Sequence, residues 1–123
     1  MGRILVATDD APTLAVIGAE LAGAGHEVVE ALTGQDAYEA ALAETPDLVI
    51  LDAELAVFDG FETARMIRDD PDMPPRLPVI LLHGVDLDPH KVEKSGATGV
   101  FPKSHSAPAL FDLLVTHLSP EAL

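Results

Sequence analysis

Short apolar runs alternate with segments of helical pattern along this chain, and that alternation limits the fold more than any other feature. The runs are rich in isoleucine, leucine and valine, and several are continuously aliphatic. Such strands, joined by helical crossovers, are typical of a parallel sheet that is covered on both faces. We predict strands at residues 4–7, 26–31, 48–51, 78–82 and 99–101, of which the second is the most exposed.

Local signals predict where the intervening helices begin and end. Pro12 opens the first helical stretch, which ends at Gly23 and Gly25. Residues 33–36 have the spacing of a capping box ahead of the second helix, and Pro46 ends that helix. The other predicted helices are residues 60–68, a short segment at 90–94, and a last helix that follows Ser106.

Five strands that alternate with five helices predict an α/β fold with one doubly wound, five-stranded parallel sheet. Right-handed crossovers restrict the connections between parallel strands. A chain of 123 residues fits one domain, which we assign to residues 1–118 with a short tail at 119–123. If the strand order is 2-1-3-4-5, the first strand lies beside the third.

Charged side chains follow three of the predicted strands, at the sheet edge where such folds bind ligands. Asp9 and Asp10 follow strand one, Asp52 ends strand three, and Lys103 follows strand five. Clustered carboxylates favour a hard cation such as Mg²⁺, which prefers oxygen ligands. A carboxylate beside a cation and a lysine can attack a phosphoryl group and form an aspartyl phosphate.

Composition excludes several classes of partner. The formal net charge of −14 repels phosphate backbones, so we expect no direct nucleic-acid binding. No apolar run approaches the ~20 residues that a membrane span needs, and the amino terminus becomes acidic too early for a signal peptide. Cysteine is absent, which fits a cytoplasmic location.

Four segments of the chain, in this order and spacing, resemble the receiver domains of two-component response regulators. The resemblance covers nearly the whole chain and implies a flavodoxin-like, three-layer α/β/α sandwich. The segments are ILVATDD, LVILDAELAVFDG, LPVILLHG and GATGVFPKS.

The resemblance also implies roles for individual residues. Asp52 matches the aspartate that accepts phosphate from the phosphohistidine of a sensor histidine kinase or phosphotransfer protein. The acidic pair after strand one holds Mg²⁺ in the family, Glu54 matches the residue whose backbone carbonyl binds the metal, and Lys103 matches the lysine that contacts the phosphoryl group. Signalling then proceeds through contacts with a downstream protein.

Several positions depart from the family pattern. In an ungapped match the acidic pair falls on Thr8 and Asp9, which leaves Asp10 one place late. His83 stands where the family has the threonine or serine of its switch. The expected aromatic residue is replaced by Val100, with Phe101 one place further along.

Each candidate also has a purely structural alternative. Asp9 or Asp10 could cap the helix at Pro12; for Asp10 the cap and the metal are equally suited, whereas for Asp9 we favour the metal. Lys103 could lie in solvent on a loop, although we favour a role in the site. For His83 we favour a place on the rim of the pocket over metal ligation.

Three functional classes remain open. The first is a stand-alone receiver that is phosphorylated on Asp52, and the second is a degenerate receiver that binds partners without phosphorylation. The third is an enzyme such as a phosphatase with an aspartyl nucleophile. We rank the third last, because Glu54 occupies the place of the second aspartate that such enzymes carry.

Overall fold

Five parallel strands form the centre of the computed structural model, which describes residues 2–84 and 87–103. Four helices connect the strands within these residues. The predicted last helix, after Ser106, lies outside the described residues. The elements are β1 (Arg3–Ala7), α1 (Ala11–Gly23), β2 (Glu27–Ala31), α2 (Gly34–Glu44), β3 (Leu48–Asp52), α3 (Gly60–Asp69), β4 (Val79–His83), α4 (Pro89–Ser95) and β5 (Gly99–Pro102).

The strand order is β2-β1-β3-β4-β5, which confirms the predicted doubly wound α/β topology. β1 pairs with both β2 and β3, and β4 lies between β3 and β5. The order reverses between β1 and β3, so a crevice between the loops that follow them is expected at the carboxyl edge. Asp52 pairs with Leu82 in this register, as the last residue of β3.

Side chains of alternate strand residues form two cores, one on each face of the sheet. On one face, Leu5, Val49 and Leu81 pack against helices α2 and α3. On the other, Ile4 and Ile50 pack beneath α1. Because both faces are covered, all five residues of β3 are buried, which explains why its sequence is continuously aliphatic.

For α1, α3 and α4 the predicted boundaries are correct to within one or two residues, whereas α2 begins at Gly34, inside the segment predicted to precede it. Asp10 caps α1, one residue before the helix begins at Ala11, with Pro12 in the first turn. Thr33 caps α2 by accepting a hydrogen bond from the Asp36 N–H, and Asp59 caps α3 in a capping box with Glu62. Each cap therefore fixes the direction in which a helix leaves the carboxyl edge.

Two strands extend further towards the site than predicted. His83 is the last residue of β4 and pairs with Pro102 of β5. The His83 carbonyl also accepts a hydrogen bond of 2.8 Å from the Lys103 N–H. The backbone is consequently held in the sheet up to the residue that precedes Lys103.

The opposite edge of the sheet is fastened by residues near the amino terminus. The Arg3 guanidinium contacts Glu27 at 3.1 Å, and the Arg3 N–H donates to Asp47 at 2.8 Å. The Gly2 N–H donates to Nδ1 of the buried His26 at 3.0 Å. These contacts tie β1 to the start of β2 and to the segment that precedes β3.

Candidate functional site

Asp52 is fully buried, and its carboxylate is compensated by three hydrogen-bond donors. Oδ1 accepts a hydrogen bond from the Glu54 N–H at 2.9 Å. Oδ2 accepts one from the Thr8 hydroxyl at 2.8 Å and lies 2.6 Å from Nζ of Lys103. A buried carboxylate needs such partners, because removing an ionised group from water otherwise costs several kcal/mol.

Lys103 joins the carboxyl end of β5 to that of β3. Its side chain is 18% exposed and reaches across the end of β4. Burial works to lower the pKa of Lys103, but the hydrogen bond and negative charge of Asp52, aided by Asp10 and Glu54, outweigh it and raise the pKa. Lys103 is therefore a paired ammonium at the site, and its interpretation as a solvent-exposed loop lysine is wrong.

Thr8 is the residue whose contact with Asp52 the sequence interpretation missed. It follows β1, has no exposed surface, and accepts a hydrogen bond at Oγ1 from the Asp10 N–H at 3.1 Å. A threonine hydroxyl has one proton, and here that proton is donated to Asp52. The only sequence signal for this contact was the place of Thr8 in the family's acidic pair.

Asp10 serves as the N-cap of α1. Its carboxylate accepts hydrogen bonds from the Thr13 N–H at 3.5 Å and from the Thr13 hydroxyl at 2.8 Å. Asp10 was predicted either to cap α1 or to bind a metal ion, and in the structure it caps α1. Asp9 comes directly before it, with an exposed side chain, and does not cap the helix.

The oxygen atoms around Asp52 fit a divalent cation only in part. No three aspartate, glutamate or histidine side chains in the described ranges are grouped so as to hold a metal ion. Asp52 Oδ1 accepts a single described hydrogen bond, so it retains a lone pair, and the Asp9 carboxylate is accessible. Mg²⁺ commonly binds through one or two carboxylates and keeps several waters, which is the set that these residues offer.

A glycine fixes the start of α3 against the site. A Cβ atom at Gly60 would lie 2.4 Å from the backbone oxygen of Asp52 and 2.7 Å from Cα of Ala53. No side chain fits there without moving the backbone. The sequence Asp59-Gly60 therefore combines a helix cap with the close approach that brings α3 to the end of β3.

The loop between Asp52 and α3 contains a strained residue. Val57 has a φ of 70°, in the left-handed region that β-branched residues rarely adopt, and its side chain is 65% exposed. The preceding Ala56 forms a parallel bridge with Thr33. The bridge joins this loop to the β2–α2 loop and holds Val57 at the surface.

His83 and Val100, which stand at the family's switch positions, differ in solvent exposure. His83 is half-buried and is the last residue of β4. Val100 faces outward and is 39% exposed, whereas the neighbouring Phe101 is 8% exposed and packs in the core cluster that contains Ile50. The aromatic ring is therefore part of the core and does not occupy the outward position of Val100.

The structure contains no helix, within the ranges that it describes, with the length and apolar character needed to span a bilayer.

A family model described as the response regulator receiver domain matches residues 4–115. This range contains every candidate site residue.

Curated relatives with sequence similarity differ in how much of their own length this chain covers. Protein PilH of Pseudomonas aeruginosa is 33% identical over 106 residues, which are 84% of this chain and 86% of PilH. The response regulator PleD of Caulobacter vibrioides is 31% identical over 103 residues. That match covers 82% of this chain but 22% of PleD, so the chain spans about a fifth of that longer relative.

Solved structures with the same fold include receiver proteins. The chemotaxis response regulator CheY4 of Vibrio cholerae superposes with a TM-score of 0.89 and 25% identity, covering 96% of this chain and 99% of CheY4. The receiver domain of a sensor histidine kinase from Pseudomonas aeruginosa superposes with a TM-score of 0.84 and 25% identity, covering 94% and 96% of the two chains. That domain was solved with a magnesium ion coordinated in its active-site cleft.

Proposed function

The chain belongs to the family of response regulator receiver domains of two-component signalling, and on that premise we propose that Asp52 accepts a phosphoryl group from a phosphohistidine. The donor is a sensor histidine kinase or a phosphotransfer protein. The observation that carries the proposal is the position of the Asp52 carboxylate, at the end of β3 and 2.6 Å from the Lys103 ammonium.

The proposed reaction is a transfer between two groups on different proteins. A carboxylate oxygen of Asp52 forms a bond to phosphorus while the phosphorus–nitrogen bond of the phosphohistidine breaks, and the electron pair of that bond returns to the imidazole. Lys103 remains protonated, because its pKa is raised, and its ammonium balances the charge on the phosphoryl oxygens. The Glu54 N–H keeps the carboxylate in place through Oδ1.

We further propose that Mg²⁺ binds weakly at this site, through Asp9, Asp52 and the backbone carbonyl of Glu54. Asp10, which we also predicted as a ligand, would have to leave its hydrogen bonds with Thr13 to contribute. When bound, the cation supplies positive charge to the phosphoryl oxygens. Support comes from the magnesium-bound structural relative and from the accessible carboxylate of Asp9.

His83 stands at the family's switch position, and we propose for it a contact with the phosphoryl group. Its place at the end of β4, beside the Lys103 backbone, supports this.

Signalling would then take place in the cytoplasm, through residues 1–118 and their contacts with a downstream protein. The family's role in signalling argues against the third class, a conventional phosphatase.

One observation favours a second candidate function. Asp52 has no exposed surface, and both of its oxygens already accept hydrogen bonds. A receiver in which this arrangement never opens would be an interaction module that works without phosphorylation. Thr8, His83 and Val100, the departures from the family pattern, agree with that alternative.

Incubation with Mg²⁺ and acetyl phosphate, followed by intact mass measurement, separates the two candidates. We expect one phosphoryl adduct in the wild type and none in Asp52→Asn. The matched control is Asp36→Asn, which alters an exposed carboxylate in α2 and should keep the adduct. If neither acetyl phosphate nor a phosphohistidine donor produces an adduct in the wild type, the phosphorylation-independent function replaces the first.

A further inference from the structure

A series of hydrogen bonds runs from Asp52 to the first turn of α1. Asp52 Oδ2 accepts from the Thr8 hydroxyl at 2.8 Å, and Thr8 Oγ1 accepts from the Asp10 N–H at 3.1 Å. The Asp10 carboxylate then accepts from the backbone and hydroxyl of Thr13. The Asp10 carbonyl accepts from the Leu14 N–H at 3.0 Å, so the same residue carries both cap and first helical bond.

The direction of each hydrogen bond in this series is fixed. A backbone N–H can only donate, so Asp10 leaves the Thr8 hydroxyl proton free to point towards Asp52. Thr8 is buried, and water cannot replace either partner without opening the site. The orientation of Thr8 therefore depends on the charge state of Asp52 and on the position of Asp10 together.

On the β5 side of the site, the residues around the family's switch position, Val100 and Phe101, have apolar side chains. Phe101 is held in the core, and Val100 is an outward-facing aliphatic residue. Neither provides a polar group that could follow a change at Asp52. Among the described residues, Thr8 is the side chain that links Asp52 by hydrogen bonds to the backbone at the start of a helix.

We infer that Thr8 is a positioning residue for Asp52, and that it transmits the state of Asp52 to the first turn of α1. The inference deepens the proposed function and rests on it where phosphorylation is concerned. Conversion of the carboxylate to an acyl phosphate removes negative charge from the acceptor of the Thr8 hydroxyl. Hydrogen bonds to charged groups are about twice as strong as neutral ones, so this bond weakens and Thr8 turns towards the phosphoryl oxygens.

The surface that changes as a result is the start of α1. Reorientation of Thr8 removes the acceptor from the Asp10 N–H and so shifts the residue that caps the helix. Ala11 and Pro12 are exposed in the same turn, and Val16, one turn later, is 52% exposed. A protein that contacts this end of α1 would therefore distinguish the two states of Asp52.

The coupling can be tested without phosphorylation, by replacing Asp52 with its neutral isostere. We expect Asp52→Asn to shift the amide resonances of Asp10 and Thr13 while it leaves those of the distant Ala41 unchanged. In a Thr8→Val background, which keeps the shape and removes the hydroxyl, the same replacement should no longer shift them. Thr8→Ser restores the hydroxyl and should restore the response. Equal shifts at Asp10 and Thr13 in the valine background would overturn the inference.

Hydrogen exchange provides a second measurement on the same variants. Loss of the acceptor in Thr8→Val should speed exchange of the Asp10 amide by about tenfold, with Thr8→Ser close to wild type. Unchanged exchange in Thr8→Val would contradict the geometry on which the inference rests. If the valine variant does not fold, Thr8→Ala and Thr8→Ser supply the same comparison.

A phosphoryl mimic, beryllofluoride, tests the coupling under the proposed function. With Mg²⁺ present in every sample, we expect the mimic to shift Asp10 and Thr13 in the wild type and in Thr8→Ser, and to shift them much less in Thr8→Val. If no mimic and no phosphoryl adduct binds to the wild type, the proposed function fails, whereas the Asp52→Asn comparison still decides the coupling. If the mimic binds but α1 does not respond in the wild type, the coupling fails and the proposed function stands.

Discussion

Nζ of Lys103 lies 2.6 Å from Oδ2 of Asp52, so that the residue directly after strand β5 reaches past β4 to neutralise a carboxylate at the carboxyl end of the central strand β3. The ion pair joins the residue after β5 to the last residue of β3. Its contribution to stability follows from the burial of Asp52, which has no exposed surface.

Replacement of Lys103 by alanine should destabilise the metal-free protein at neutral pH. Removing one partner of a buried ion pair costs roughly 3–5 kcal/mol. Lys103 is 18% exposed, so water compensates in part, and we expect a loss of about 2–3 kcal/mol. Denaturant unfolding measures it, with Lys94→Ala on the exposed side of α4 as the control. A loss no larger than that of Lys94→Ala would show that the pair does not stabilise the fold.

The pH dependence of the same variant provides an independent check. The pKa of Lys103 is raised above its ordinary value of 10.5, so the folded protein holds this proton more tightly than the unfolded chain. The stabilisation is therefore complete below 10.5 and is lost as the pH rises through the raised pKa. The difference in free energy of unfolding between wild type and Lys103→Ala should shrink over that alkaline range.

Mg²⁺ should stabilise the wild type by mass action, with roughly millimolar affinity. At ten times the dissociation constant, binding to the folded state adds about 1.4 kcal/mol. Thermal melting across a Mg²⁺ titration should show an increase in the wild type and in Asp36→Ala, but a much smaller one in Asp9→Ala. A melting temperature that is equally insensitive to Mg²⁺ in all three proteins would remove the metal from the proposed function.

His26 should make the fold sensitive to mild acid. Burial lowers the pKa of His26 below 6.5, and its Nδ1 accepts a hydrogen bond from the Gly2 N–H that a protonated ring nitrogen could not accept. The unfolded chain thus binds this proton more readily, so the stabilisation is present above 6.5 and is lost as the pH falls towards the lowered pKa.

The slope expected from one such group is at most about 1.4 kcal/mol per pH unit. His26→Leu should flatten the dependence of the unfolding free energy on pH below 6.5, whereas His90→Leu, at an exposed histidine of α4, should not. Parallel curves for the wild type and His26→Leu would refute the prediction.

Val57→Asn should stabilise the protein. A left-handed backbone costs an L-residue roughly 1–2 kcal/mol, and asparagine tolerates that conformation far better than valine. We expect a gain of about 1 kcal/mol in chemical denaturation. The matched control is Val16→Asn, at another exposed valine that lies in helix α1, where the two residues have similar propensities. Equal effects at the two positions would mean that the strain at Val57 is relieved in another way.

The fold could be predicted because its determinants are local and repeated. Continuous aliphatic runs predicted buried parallel strands, and local signals such as Thr33 and Pro12 predicted where helices begin. The convergence of Asp52 with Lys103 followed from topology alone, since the carboxyl ends of parallel strands share one edge.

The contact of Thr8 and the cap at Asp10 depended on geometry that the sequence does not contain. The sequence around a threonine at the end of a strand is the same whether its hydroxyl contacts solvent or a carboxylate. Asp9 and Asp10 are chemically identical, and only the first turn of α1, with Thr13 in reach of Asp10, separates their roles. The left-handed conformation of Val57 was also invisible, because valine normally disfavours it.

The complete enclosure of Asp52 has a consequence for kinetics. A nucleophile without accessible surface reacts only while the side chains above it have moved aside, so opening becomes a unimolecular step that precedes transfer. The rate of adduct formation should then reach a plateau at high acetyl phosphate concentration. A wild-type rate that rises in proportion to donor throughout would mean that opening is never limiting. With a plateau, the enclosure of Asp52 would set an upper limit on the rate of phosphorylation that no increase in donor concentration could exceed.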